Sequence, residues 1–167
     1  MSYLGSENSK LHERVIEAVK QYVKQYVIPT LKPLLIILYG SFTRGDYTRG
    51  SDIDLLIVPE YIPKNYWDRW SLVYEVIDGL PLDPHIYTPE EFREMIIDGR
   101  MTALDALTEG IVIHANTEYQ EEINRLLSET LKRRVKYRNM WIPIQYMEKL
   151  HSSKTLKQNY SHTNSSQ

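Results

Sequence analysis

A chain of 167 residues with 42% hydrophobic and 25% charged side chains has the makeup of one ordinary globular unit with a real core, which excludes collagen, coiled coil and a wholly disordered polymer. The absence of cysteine excludes a disulfide scaffold, a thiolate zinc site, an iron–sulfur cluster and a cysteine nucleophile, and makes the reducing cytoplasm the expected location. The formal net charge of −2 conceals an asymmetry: residues 1–130 hold 12 Lys and Arg against 21 Asp and Glu, whereas residues 131–167 hold 8 against 1.

In chain order, Leu11, Val15, Val19, Tyr22, Val23 and Val27 recur at three- and four-residue steps and predict an amphipathic helix over about 8–28, closed by Pro29 and Pro33. The run Leu34 to Tyr39 is apolar on both faces, as in a central strand covered above and below, and Gly40-Ser41 ends it. It is also the longest apolar run, far short of the roughly 20 residues that cross a bilayer, and Met1 to Lys10 lacks a secretory signal's apolar stretch, so no membrane is expected. Asp52 to Val58 predicts a second strand, stopped by Pro59. Trp67, Trp70, Val73, Tyr74 and Ile77 predict a helix over 65–78. Leu82 to Tyr87 predicts a third strand, Thr88-Pro89-Glu90-Glu91 a capped helix start, Ile111 to His114 a fourth strand, and Ile123, Leu126, Leu127 and Leu131 a last helix over about 117–137. The order predicts an α/β (α+β) domain over 1–140 with a single mixed sheet of about four strands flanked by helices. Residues 141–167 form a C-terminal segment: Trp141, Ile142, Ile144, Tyr146 and Met147 make a patch for the body or a second subunit, so a homo-oligomer stays open. The basic, polar tail that follows reads as disordered.

The chemistry is concentrated between Leu38 and Leu55. A strand that stops at Gly and restarts as a helical turn leaves its first N–H groups unpaired and pointing one way, which suits phosphate; Gly40 lets an anion approach the main chain and Ser41 adds a donor. Asp52 and Asp54 project from one face of their strand by its two-residue alternation. Like carboxylates so placed repel unless a cation sits between them, and oxygen ligands without Cys or clustered His select a hard ion such as Mg2+. A phosphate turn beside a carboxylate pair predicts a nucleoside triphosphate ligand.

Gly40-Ser41, ten intervening residues and then Asp52-Ile53-Asp54 between apolar neighbours resemble the signature of the DNA polymerase beta-type nucleotidyltransferase superfamily. The fuller run with Arg44-Gly45 and Ser51 to Leu55 is similar to its small prokaryotic and archaeal branch, the minimal nucleotidyltransferases. Asp83, Thr88 to Phe92 and Glu109 to Ile113 match further features of that branch, so the resemblance spans roughly 30–115. It implies the nucleotidyltransferase fold and transfer of AMP from ATP to a hydroxyl acceptor on a protein or small molecule, with release of pyrophosphate. Asp52, Asp54 and Asp83 would hold two Mg2+ ions, Mn2+ being an alternative. Asp83 would also accept the nucleophile's proton, and Gly40 and Ser41 would grip the β- and γ-phosphates.

Arg44 and Arg49 are read either as further phosphate contacts or as surface ion-pairing residues. Pro84 cannot donate to a ladder, so the strand bearing Asp83 is expected to lie at an edge or to begin irregularly. His85 shares Asp83's face and is read as a partly buried, hydrogen-bonded histidine. The resemblance further implies a HEPN-type helical toxin as a protein partner, this chain being its antitoxin. The acidic body disfavours nucleic acid as the main ligand. The competing class is a non-catalytic nucleotide-binding or partner-masking module, which gains if Asp83 points away from Asp52 and Asp54.

Overall fold

The computed structural model describes residues 3–48, 50–62, 65–147 and 149; Arg49 and the tail beyond 149, including its expected disorder, lie outside them. The opening segment is helical as α1 (Tyr3–Tyr22), a π-helical turn (Val23–Val27) and α2 (Ile28–Leu31). Pro29 therefore does not close the helix, as the sequence reading expected. Proline removes one N–H from the ladder, and the chain widens instead: Ile28 N–H reaches back five residues to Val23 C=O. The Thr30 hydroxyl donates to Tyr26 C=O at 2.6 Å. Helix ends only at Lys32, which turns left-handed with φ 45° while its N–H bonds Ile28 C=O.

The sheet contains β1 (Pro33–Tyr39), β2 (Ile53–Pro59), β3 (Val76–Ile77), β4 (Leu80–Ile86) and β5 (Ile111–Ala115), in the order β3-β4-β2-β1-β5. β1 is antiparallel to both its neighbours, and β2 and β4 are parallel. The sheet is thus mixed, with five strands rather than four. The additional strand corrects the expected helix over 65–78, because the helix there, α4, spans only Tyr66–Trp70. Asp78 and Gly79, with φ of 52° and 80°, form a two-residue turn that folds β3 back onto β4. Asp-Gly between apolar residues is a strong hairpin signal, and it overrides the helical spacing of Val73 and Ile77. β3 pairs only with Leu80 and Pro81, so Pro84 faces no outer partner strand and its missing N–H costs no ladder bond.

Alternation along each strand divides the core into two layers. Ile36, Leu38, Ile53, Leu55, Ile57, Leu82 and Ile86 pack on one face against Val15, Val19, Val23 and Val27 of the opening helix. Leu35, Ile37, Tyr39, Leu56 and Val58 pack on the other against α5 (Pro89–Asp98), α6 (Met101–Glu109) and α7 (Thr117–Leu131). α7 stops at Leu131, six residues before the expected end. The chain then forms a hairpin, β6 (Arg134–Tyr137) and β7 (Met140–Pro143), turned by Arg138 with φ 54°. Alternation of polar and apolar residues in Arg134-Val135-Lys136-Tyr137 is the signal that the helical reading overlooked. Trp141 packs on the body, its indole N–H donating to Asp105 at 2.7 Å. Among the described residues no helix is long and apolar enough to cross a membrane.

α5 is joined to β4 by a capping box: the Thr88 hydroxyl accepts from Glu91 N–H and the Glu91 carboxylate from Thr88 N–H. The same carboxylate takes two hydrogen bonds from Arg69, 3% exposed, at 2.6 and 3.1 Å. Its pKa lies below the ordinary value, first through the Arg69 hydrogen bonds and further through the Thr88 amide, against an opposing effect of burial. A carboxylate depressed in this way stabilises the fold above its unfolded-state pKa, and the contribution is lost as pH falls through the folded value. Glu91→Gln is expected to cost about 2 kcal/mol near neutral pH, an estimate lowered because Glu91 is partly exposed. Denaturant melts from pH 7 to 3 should show the gap between variant and wild type closing towards the acid end.

Candidate active site

β1 delivers the chain to Gly40, whose φ of 83° and ψ of −155° turn it directly into α3 (Ser41–Arg44), and Gly45 ends that helix with φ 77°. Tyr39 is the register partner of Asp54, so the turn lies over the Asp54 carboxylate. A Cβ at Gly40 would collide with that carboxylate, its Cγ being only 2.8 Å away. Gly40 therefore meets two demands at once, a left-handed φ and contact with a charged group. Gly45 meets only the first, since nothing lies within 4 Å of a Cβ built there. The Thr43 hydroxyl donates to Gly40 C=O at 3.0 Å, and His12 of α1 contacts Phe42 C=O through Nε2 at 2.8 Å. The His12 contact braces a one-turn helix whose first N–H groups have no partner within the helix, as at any helix start.

Parallel pairing places Asp54 of β2 opposite Asp83 of β4, and His85 lies two residues further along Asp83's face. Ligand atoms of Asp54, Asp83 and His85 all fall within 4.8 Å of one another. His85 Nε2 stands 3.3 Å from Asp83 Oδ2 and 3.7 Å from Asp54 Oδ1. All three side chains are partly exposed, so the group is reachable from solvent. The His85 pKa is raised, first by its approach to the Asp54 carboxylate and then by the charge of Asp83, against a lowering by burial. His85 was already legible as Asp83's neighbour on the strand; its proximity to Asp54 requires the β2–β4 register. Tyr39 borders the group, its ring edge-on to His85 with centroids 5.7 Å apart.

The other residues singled out in the sequence are placed differently. Asp52 is exposed, one residue before β2, and is not among the three converging groups. Ser41 opens α3 and is partly buried. Arg44 closes α3, 3.3 Å from Asp46 and 3.9 Å from Glu109. Arg49 lies outside the described residues. Two contacts of this region were not anticipated. His12 supports α3 from the opposite face of the sheet, a pairing 30 residues apart with no local pattern. Glu109, at the end of α6, bonds Lys136 Nζ, which also bonds Asp105 at 2.9 Å, so the β6–β7 hairpin is fastened beneath Arg44.

A family model described as "Nucleotidyltransferase domain" matches residues 12–160. Two proteins of Methanocaldococcus jannaschii, each named "Putative protein adenylyltransferase", are similar in sequence. One is 34% identical over 83 residues, covering 44% of this chain and 79% of the relative. The other is 31% identical over 62 residues, covering 34% of this chain and 42% of the relative. Among solved structures, a crystal structure of a toxin–antitoxin with AMP-PNP is similar at a TM-score of 0.45 and 15% identity, covering 87% of this chain and 97% of that chain.

The two glycines bounding α3 provide an internal control. Gly40→Ala should cost more, because it also displaces the Asp54 carboxylate, seen as a larger fall in melting temperature than Gly45→Ala gives.

Proposed function

From its membership of the nucleotidyltransferase domain family, to which this chain belongs, we propose that it transfers AMP from ATP to a hydroxyl acceptor on a protein or small molecule, releasing pyrophosphate. The observation that carries this reading is the meeting of Asp54 and Asp83 beside the Gly40-Ser41 turn. The acceptor oxygen would form a bond to the α-phosphorus as the α–β phosphoanhydride bond breaks, and pyrophosphate would leave with the electron pair. Asp83, the more exposed of the two carboxylates, would take the hydroxyl proton. Gly40, Ser41 and the first N–H groups of α3 would receive the β- and γ-phosphates, because an unpaired helix start is a donor set for anions. Arg44, and Arg49 by its place in the same loop, would add guanidinium contacts.

Two adjacent carboxylates are a hard-oxygen donor set of the kind that holds Mg2+, and Mn2+ would suit the neighbouring imidazole as well. Asp54 and Asp83 would hold the metal, with Asp52 at the mouth on the same strand face; two ions is the number the family resemblance implies. When bound, the metal would neutralise charge on the triphosphate and favour the ionised acceptor. Without it, His85 is the group that offsets the two carboxylates. A HEPN-type protein is the first protein acceptor to test, on the strength of the sequence resemblance.

Asp54→Asn and Asp83→Asn should each reduce transfer of label from α-labelled ATP by at least about a hundredfold. Their melting temperatures should stay at or above that of the wild type, since a like-charge contact is removed. Undiminished transfer in the double variant would refute the mechanism. Mg-ATP binding with no label in any acceptor from a cell lysate would instead favour the non-catalytic module.

A further inference from the structure

Asp83 and His85 do not end their row. Alternate residues of a strand share a face, so the row continues to Tyr87 just beyond β4. Tyr87 lines a cavity of about 520 Å3 walled by α5 and the start of α6, within the roughly 300–1,000 Å3 of small-ligand sites. Glu91, Glu94 and Asp98 of α5 bring three carboxylates to this groove, and Met95 and Met101 bring adaptable apolar surface.

The cations of the groove are already engaged. Arg69 is buried, with its guanidinium on both oxygens of Glu91 and on Ile86 C=O. Arg100 lies 3.8 Å from Asp98. Glu94 is exposed and has no ion-pair partner among the described residues. The groove thus holds three carboxylates against two guanidinium groups, and Glu94 is its spare negative charge. A carboxylate left over in this way draws a cation.

We propose that this groove receives the acceptor, and that the acceptor is a basic peptide segment: a Ser, Thr or Tyr hydroxyl flanked by Lys or Arg. The inference rests on the transfer reading above and names its substrate class. The flanking cations pair with Glu94 and Asp98 while the aliphatic stem of the Lys or Arg lies on Met95 and Met101. Held there, the hydroxyl points along the Tyr87–His85–Asp83 row. Its oxygen bonds the α-phosphorus, its proton passes to Asp83, and pyrophosphate leaves.

The test uses the full chain and three fluorescent peptides that differ only in the residues flanking one Tyr: Lys, Gln or Glu. Anisotropy titrations without nucleotide measure binding, and α-labelled ATP with Mg2+ measures incorporation. The Lys peptide is expected to bind at least about tenfold tighter than the Gln peptide at low salt, with the Glu peptide weakest. The Glu94→Gln/Asp98→Asn double variant should lose most of that preference, whereas Glu118→Gln, an exposed change on α7, should keep it. Equal binding of the three peptides, an unaffected double variant, or labelling of a polyamine alcohol but of no peptide would each overturn the proposal. Charge-dependent peptide binding without incorporation of label supports the groove and counts against the transfer reading alone.

Discussion

Two carboxylates held side by side are the constraint around which the molecule is arranged. With ligand atoms no more than 4.8 Å apart, charged Asp54 and Asp83 repel by at least about 3.5 kcal/mol at an effective dielectric near 20. Neither can move away, because each is fixed by the parallel β2–β4 register and flanked by fully buried residues: Ile53 and Leu55 on β2, Leu82 on β4. Burying one such side chain contributes about 2 kcal/mol, so a few apolar neighbours outweigh the repulsion. Gly40 follows from the same arrangement. Any larger residue there would have to displace a carboxylate that the strands hold in place.

Much of this was legible in the sequence, and for identifiable reasons. The β1 and β2 strands, the Gly40-Ser41 turn and the face of Asp54 follow from the period of two and from glycine's backbone freedom. The Thr88 capping box and the edge position of Pro84 follow from local rules about N–H groups. The four long strands were therefore located to within about one residue at most ends. The family signature is itself local, which is why the chain's membership could be read before any contact was known.

What was not legible depends on contacts distant in sequence or on competition between two local signals. Val73 and Ile77 fit a helical stripe, yet Asp78-Gly79 prefers a tight turn, and pairing with β4 decides between them. Past Leu131 the helical reading had no stop signal, and the β6–β7 hairpin forms because Trp141 and Lys136 find Asp105 and Glu109 on α6. Pro29 looked like a terminator because proline breaks the α-helical ladder, but the chain widens into a π turn just before it and stays helical to Leu31. The His85–Asp54 approach joins two strands 31 positions apart, and only the parallel crossover brings them together.

The charged network beneath α3 separates residues that can change partner from those that cannot. Lys136 is held by two carboxylates in a partly buried setting, where charge-assisted bonds contribute about 1.5–3 kcal/mol. Arg44 has contacts of 3.3 and 3.9 Å on an exposed surface, where ion pairs contribute about 0–1 kcal/mol. Breaking the Arg44 contacts therefore costs little, and Glu109 stays compensated by Lys136 when Arg44 turns away. The guanidinium one helical turn from Ser41 is thus loosely held and can change partner, whereas Lys136 keeps the hairpin in place.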